Sequence, residues 1–166
     1  MSWLTADELE HAVDCCSGNT TVKRAFRGVY PHNKLPTFIR PIAKGLPLTL
    51  IVNTDTHNLP GRHWISIYIG PDGQGEIFDS LATAPSAYVA RFLSKHCKRW
   101  TTNRPLIYQH PFSSYCGVYV LLHVLQRHKY NSLEEFCTSN FTSSVTENER
   151  FIRAYYKHNF LPYLRR

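Results

Sequence analysis

The chain has 166 residues, of which 43% are apolar and 13% aromatic. That is enough for one buried core and excludes a disordered chain. No apolar run reaches the roughly 18 residues of a membrane-spanning helix. Met1 to Glu10 is acidic, where a signal peptide is basic and then apolar; together these point to an intracellular protein. Net charge is +7 and uneven: residues 1–80 hold seven basic and eight acidic side chains, residues 81–166 twelve and four. The basic second half suits a polyanion such as nucleic acid, or simply an alkaline, well-solvated surface.

The spacing of Thr5 and Glu8 is that of a capping box, and Leu9, Ala12, Val13 and Cys16 follow at helical intervals, predicting a helix over 5–16. Gly18 and Asn19 end it. Residues 20–47 carry Gly28, Pro31, Pro36, Pro41, Gly45 and Pro47 and read as a long irregular segment, tied down by Phe26, Tyr30 and Phe38. Leu48 to Asn53 is a buried strand. His63 to Ile69 alternates, with Trp64 on one face and Ile65, Ile67 and Ile69 on the other. A turn at 71–75 and a short strand at 76–79 complete a hairpin. Pro85 opens a helix running to about Lys98, with Tyr88, Val89, Phe92 and Leu93 inward. Pro105 to Gln109 reads as a further strand. Cys116 to His128 begins as an unbroken apolar run, the mark of a helix buried on nearly all sides. Ser132 with Glu135, and Thr146 with Glu149, mark two more helix starts. Strands in the middle and helices at both ends predict a single α+β domain over 1–166: a central mixed sheet packed by helices, one of them buried and carrying Cys116 at its start.

The five cysteines, Cys15, Cys16, Cys97, Cys116 and Cys137, are odd in number and form no C-x₂₋₄-C pair. That disfavours a disulfide framework and a zinc site, so no metal is expected. Most read as small buried apolar side chains. Cys116 is different, because a thiol at a helix N-terminus meets the positive end of the helix dipole and unpaired N–H groups, both of which favour thiolate. His63 opens one strand of the hairpin and Asp79 closes the other, so the two are placed to meet. Asp79 would then fix the imidazole and stabilise its cation, while His63 serves Cys116 as base. Gln109, seven residues before Cys116, supplies a side-chain amide to an oxyanion beside the Cys116 N–H. Gly117 leaves room for a substrate backbone. Each residue alone reads more simply as core, cap or surface; the ordered set carries the argument.

The set His63-Trp64, Asp79-Ser80, Gln109 and Cys116-Gly117 resembles the cysteine peptidases that unite adenovirus proteases (adenains) with ubiquitin-like-protein-specific proteases. Its order of His, acid, Gln and Cys is theirs and the reverse of papain's. The segment Ile51-Val52-Asn53-Thr54, a polar loop, then Gly61-Arg62-His63-Trp64, and the step from Gln109 to Cys116, are closest to adenain. Gly28-Val29-Tyr30-Pro31 is similar more loosely. The resemblance covers about residues 5–128. Asp79 stands where many adenains have Glu, and the chain is shorter than a typical adenain.

The resemblance implies an endopeptidase that cuts after glycine-containing motifs in viral capsid and core precursors, within the host nucleus and virion, as a monomer. Trp64, with Gly117, would wall a narrow substrate tunnel. The chemistry itself needs no cofactor, but adenains are stimulated by DNA and by a short viral peptide that joins them through a disulfide. Lys95, Lys98, Arg99 and Arg104, with Trp100 among them, form the candidate DNA face, and Cys97 the candidate activator thiol. Each has a plainer reading as a solvated helix end and a packed thiol. Three other readings stay open: a protease for ubiquitin-like modifiers, a chymotrypsin-like viral cysteine protease built from two β-barrels, and an inactive DNA-packaging protein.

Overall fold

A computed structural model describes residues 4–39, 45–59 and 62–164; Pro41 and Gly61 lie outside them. Helix α1 (Ala6–Cys16) starts with the expected box: the Thr5 N–H donates to the Glu8 carboxylate at 2.8 Å and the Glu8 N–H to the Thr5 hydroxyl at 3.3 Å. Leu9, Ala12 and Val13 are its buried face. The segment expected to be irregular is half regular. Asn19 does not merely stop α1 but caps α2 (Thr20–Ala25), accepting the Thr21 N–H, and strand β1 (Phe26–Pro31) follows directly. Gly28, which reads as a breaker, has φ 112° and makes the irregularity that shifts register between Phe26 and Val29. A left-handed glycine of this kind is at home in an edge-strand bulge.

Strands β2 (Leu48–Asn53), β3 (Trp64–Ile69), β4 (Gln74–Phe78) and β5 (Arg99–Thr102) complete one five-stranded sheet in chain order. The outer pairs β1–β2 and β4–β5 are parallel, and the inner pairs antiparallel, so the expected hairpin is β3–β4. Alternation along β3 divides two cores. Trp64 joins Ile51, Phe78 and the helical side chains of one face, while Ile65, Ile67 and Ile69 join Leu48, Leu50, Val52 and Ile77 on the other. Burial on both faces explains why β2 shows no alternating polar face and reads as a buried strand.

Helix α3 (Ala87–His96) covers the second face with Val89, Phe92 and Leu93; Tyr88, expected inward, is 44% exposed. The strand expected at 105–109 is absent and lies earlier, at β5, where Arg99 to Thr102 pair with Gln74 to Ile77. The apolar letters that suggested it, Leu106 and Ile107, are 56% and 50% exposed. On the first face α4 (Cys116–Gln126) is buried at every position except Gln126. A 3-10 turn (Arg127–Lys129), α5 (Leu133–Asn140), α6 (Val145–Asn159) and α7 (Leu161–Leu164) close that side. Ser132 caps α5 as expected, but the cap of α6 is Ser144 with Glu147, not Thr146 with Glu149. The fold is α+β, with a five-stranded mixed sheet between helices. Its open sheet excludes the two-barrel reading.

The C-terminal end of α4 is pinned to the sheet by a buried polar network. The His123 ring nitrogen Nε2 meets the Glu76 carboxylate of β4 at 3.1 Å, leaving Nδ1 to accept the Ser66 hydroxyl of β3 at 2.9 Å. Arg127 closes on both Glu76 oxygens through Nε and Nη2, and its guanidinium stacks 4.4 Å from the Tyr68 ring centroid. Complete burial lowers the His123 pKa despite Glu76. A neutral imidazole there satisfies the Ser66 hydroxyl on one side and donates to the Arg127-paired Glu76 carboxylate on the other.

Candidate active site

His63 immediately precedes β3 and Asp79 immediately follows β4, so the hairpin sets them side by side at one end of the sheet. His63 Nε2 donates to Asp79 Oδ1 at 2.6 Å. The carboxylate is fully occupied. Oδ1 also accepts the Leu81 N–H at 2.8 Å, and Oδ2 accepts the Thr83 N–H at 2.9 Å and the Thr83 hydroxyl. The turn that wraps these donors around Asp79 passes through Ala82 at φ 52°, an uncommon conformation for a residue with a Cβ. Asn103 fixes the Asp79 backbone from β5's end. It accepts the Asp79 N–H at 2.8 Å and donates to the Asp79 carbonyl at 2.7 Å.

With Nε2 turned to Asp79, Nδ1 is the ring nitrogen left for the Cys116 thiol, which is near enough to help raise the imidazole's pKa. Burial alone would lower the imidazole's pKa. The bonds to Asp79 and Cys116 and the charges behind them outweigh it and hold His63 up at about 9. Burial would likewise raise Asp79, but His63, Thr83 and the Leu81 amide hold it below its ordinary value. The pair therefore favours imidazolium beside carboxylate.

Cys116 is the first residue of α4 and is 2% exposed. No side chain caps this helix; the Val118 N–H turns back to the Tyr115 carbonyl at 2.8 Å, which leaves the N–H groups of Cys116 and Gly117 for an oxyanion. Gln109 is buried and held at both ends of its amide. Its Oε1 accepts the Ser80 hydroxyl at 2.6 Å, and its Nε2 donates to the Ser113 carbonyl at 2.9 Å. An amide nitrogen carries two protons, so one remains for a substrate oxygen. The Ser80 carbonyl also accepts the backbone N–H groups of Tyr108 and Gln109. Pro105 to Gln109 therefore hangs from Ser80 rather than from a strand.

The remaining predicted residues are placed as follows. Trp64 is 8% exposed, and its indole N–H donates to the Leu4 carbonyl at 3.0 Å. It borders a cavity of about 310 Å³ with Leu4, Val29, Tyr30, Asn53 and Leu59. The room expected in front of Gly117 is filled by Leu4: a Cβ there would stand 3.1 Å from the Leu4 Cβ. The four basic residues sit on different elements. Lys95 donates to the Thr37 carbonyl, Lys98 lies over Gly73 at the hairpin turn, and β5 separates Arg99 from Arg104. Cys97 packs on Gly75, and burial pushes its thiol up to about 11. Among the described residues all five thiols are free, and no group of three or more His, Cys, Asp or Glu could hold a metal ion.

Two supports were not foreseen. Ser80 stood beside Asp79 in the motif but read as a turn residue. Asn103 had no signal, because its role depends on β5, which the sequence does not announce.

The five-stranded mixed sheet with α4 buried against one face has counterparts among solved structures. Two crystal structures of the ASFV pS273R protease share it. One, of selenomethionine protein, matches at TM-score 0.55 and 21% identity over 69% of this chain and 44% of that chain. The other matches at 0.53 and 17% identity over 82% and 60%. The chain thus spans about half the length of that protease. No protein-family model matches the sequence, and no curated protein does.

Proposed function

We propose that this chain is a cysteine endopeptidase that matures viral structural precursors by cutting after glycine-containing motifs. The observation that carries the reading is the bond from His63 Nε2 to Asp79 Oδ1. It leaves Nδ1 for a thiol at the N-terminus of a buried helix, with Gln109 clamped seven residues upstream. In the reaction, the Cys116 thiol gives its proton to His63 and the sulfur attacks the scissile carbonyl carbon. The negative charge that forms on the carbonyl oxygen is received by the Cys116 N–H and by Gln109 Nε2–H; one such donor typically contributes about 2.7–4 kcal/mol. His63 returns the proton to the leaving amine as the C–N bond breaks. Water then attacks the thioester, giving a proton to His63, and the thiol is restored as the acid product departs.

Preference for glycine follows from the adenain resemblance, in which Trp64 walls the substrate path; here Trp64 borders a cavity together with Leu4. Duplex DNA and an activating peptide belong to the same reading. The basic balance of residues 81–166 supports a DNA contact, but the separation of Arg99 from Arg104 asks for a broad face rather than a compact patch. The packed Cys97 thiol favours a non-covalent peptide. The proposed setting is the host nucleus and virion.

The test is cleavage of a peptide library carrying Gly at the two positions before the scissile bond, at neutral pH with reductant, with and without duplex DNA. Cutting after Gly by wild type and not by Cys116→Ala is expected. Equal cutting by Cys116→Ala would sink the assignment. Release of a ubiquitin-like modifier from a fusion, without peptide cleavage, would move it to the modifier proteases.

A further inference from the structure

We infer that Glu149, on the C-terminal helix α6, is a positioning residue that holds the loop between Gln109 and Cys116 in its oxyanion-binding shape. The inference rests on the peptidase reading above, and Glu149 lies outside the stretch that resembles adenain.

Glu149 is 9% exposed and forms no ion pair among the described residues. Its carboxylate is satisfied by groups of the loop and its neighbour. Oε2 accepts the Ser113 hydroxyl at 2.8 Å; Oε1 accepts the His110 N–H and the Tyr119 hydroxyl, each at 3.3 Å. A buried carboxylate without a cation is costly unless hydrogen-bonded, so its position is committed to those donors. Nor does Glu149 serve its own helix, because Ser144 and Glu147 make the cap.

The donors it gathers are those that matter for the site. Ser113 is the residue whose carbonyl holds Gln109 Nε2. His110 directly follows Gln109. Tyr119 lies one turn into α4 from Cys116, and its single hydroxyl proton is shared between Glu149 Oε1 and the Tyr108 carbonyl, the nearer acceptor at 3.0 Å. One carboxylate therefore ties both ends of the loop to α4. The same helix face adds Arg153, 5.5 Å from the Tyr115 ring, and Tyr156 against that ring's edge. Gln109 is thus fixed from one side by Ser80 and from the other by Glu149 acting through Ser113.

The test compares Glu149→Ala, Glu149→Gln and Ser113→Ala with wild type. The readouts are peptide cleavage, alkylation of Cys116 by chloroacetamide, and amide hydrogen exchange. Alkylation needs the thiol and His63 but forms no oxyanion. Glu149→Ala should lower kcat ten- to hundredfold with KM within threefold and alkylation within threefold. Exchange over residues 110–115 should quicken at least tenfold, with β3 and β4 unchanged. Glu149→Gln should stay within about fivefold of wild type, because its amide oxygen still accepts from His110 and Tyr119 while its NH₂ donates to the Ser113 hydroxyl. Ser113→Ala should shift kcat in the same direction by less.

A kcat for Glu149→Ala within twofold of wild type, with loop exchange unchanged, overturns the inference. So does a parallel fall in kcat and alkylation with faster exchange in the sheet, which would mean general unfolding. Absence of peptide cleavage by wild type would instead count against the peptidase reading. In that event the loop exchange of Glu149→Ala still decides whether Glu149 holds the loop: unchanged protection refutes it.

Discussion

Replacing Asp79 by asparagine changes the charge of the site with almost no change of shape. Asp79 accepts four hydrogen bonds, two on each oxygen. Asparagine has only one oxygen. If that oxygen faces His63, the new NH₂ meets the Thr83 N–H, donor against donor. If the NH₂ faces His63, the ring must carry its proton on Nδ1, the side that has to receive the Cys116 proton. Either arrangement removes the anion that stabilises imidazolium. His63 is held at about 9 against 6.5, and at about 1.36 kcal/mol per pKa unit that preference is on the order of 3 kcal/mol. Cys116 supplies part of it. Assigning Asp79 about 2–3 kcal/mol, and a tenfold rate change to each ~1.4 kcal/mol, kcat/KM should fall roughly 10²-fold.

The same substitution has a signature in stability. His63 has a folded pKa above its unfolded one, so its contribution is complete below pH 6.5 and is lost as pH rises through about 9. Asp79 is depressed below 3.8, so its contribution is present above that value and disappears on acidification. The Tm gap between wild type and Asp79→Asn should be widest between about pH 4 and 6.5 and narrow toward pH 9. Steady-state cleavage and thermal melts across that range check both. Cleavage within threefold of wild type, or a gap that widens toward pH 9, would refute the reasoning.

Ser80→Ala should free the Gln109 carbonyl and lower kcat about tenfold while leaving KM unchanged, a fraction of the loss expected when an oxyanion donor is removed outright. In a Gln109→Ala background the same change should cost nothing further; full additivity in the double mutant would show that Ser80 does not act through Gln109. Gly117→Ala should push Leu4 off α4, since the new Cβ would meet the Leu4 Cβ at 3.1 Å and Cδ1 at 3.2 Å. A loss of about 1–3 kcal/mol in denaturant unfolding is expected. Trp64 emission should shift to the red as its indole loses the Leu4 carbonyl, and an unchanged spectrum would mean that Leu4 is not displaced.

What the sequence announces is what depends on short spacing or on unbroken apolarity. The Thr5–Glu8 box, the β3–β4 hairpin and the buried helix from Cys116 all follow from neighbours within a few residues. The hairpin in turn places His63 against Asp79. What stays hidden depends on distant chain. β1 and β5 are parallel edge strands whose partners, β2 and β4, lie about 20 residues away, so no turn signal marks them. Gly28 misleads because a bulge and a break use the same residue. Leu106 and Ile107 mislead because exposed apolar residues look like a strand. Ser80, Asn103 and Glu149 are polar residues whose partners at the site, Gln109, Asp79 and His110, lie 29, 24 and 39 positions off, separations that pattern alone cannot pair.

The position of Cys116 relative to His63 and Gln109 is set largely by β4. Three residues before Asp79, Glu76 of the same strand holds His123 and Arg127 and so pins the far end of α4. Just past the strand, Asp79 holds His63 and Ser80 holds Gln109. Asn103 then locks that dipeptide to the end of β5. A single strand thus fixes the helix carrying Cys116, the His63 ring and the Gln109 amide, and its polar contacts are buried where water cannot compete. Loss of Glu76 would therefore be felt at Cys116 through a tilt of α4, whereas loss of Ser80 would be felt only at Gln109. This difference separates a support of the fold from a support of the chemistry.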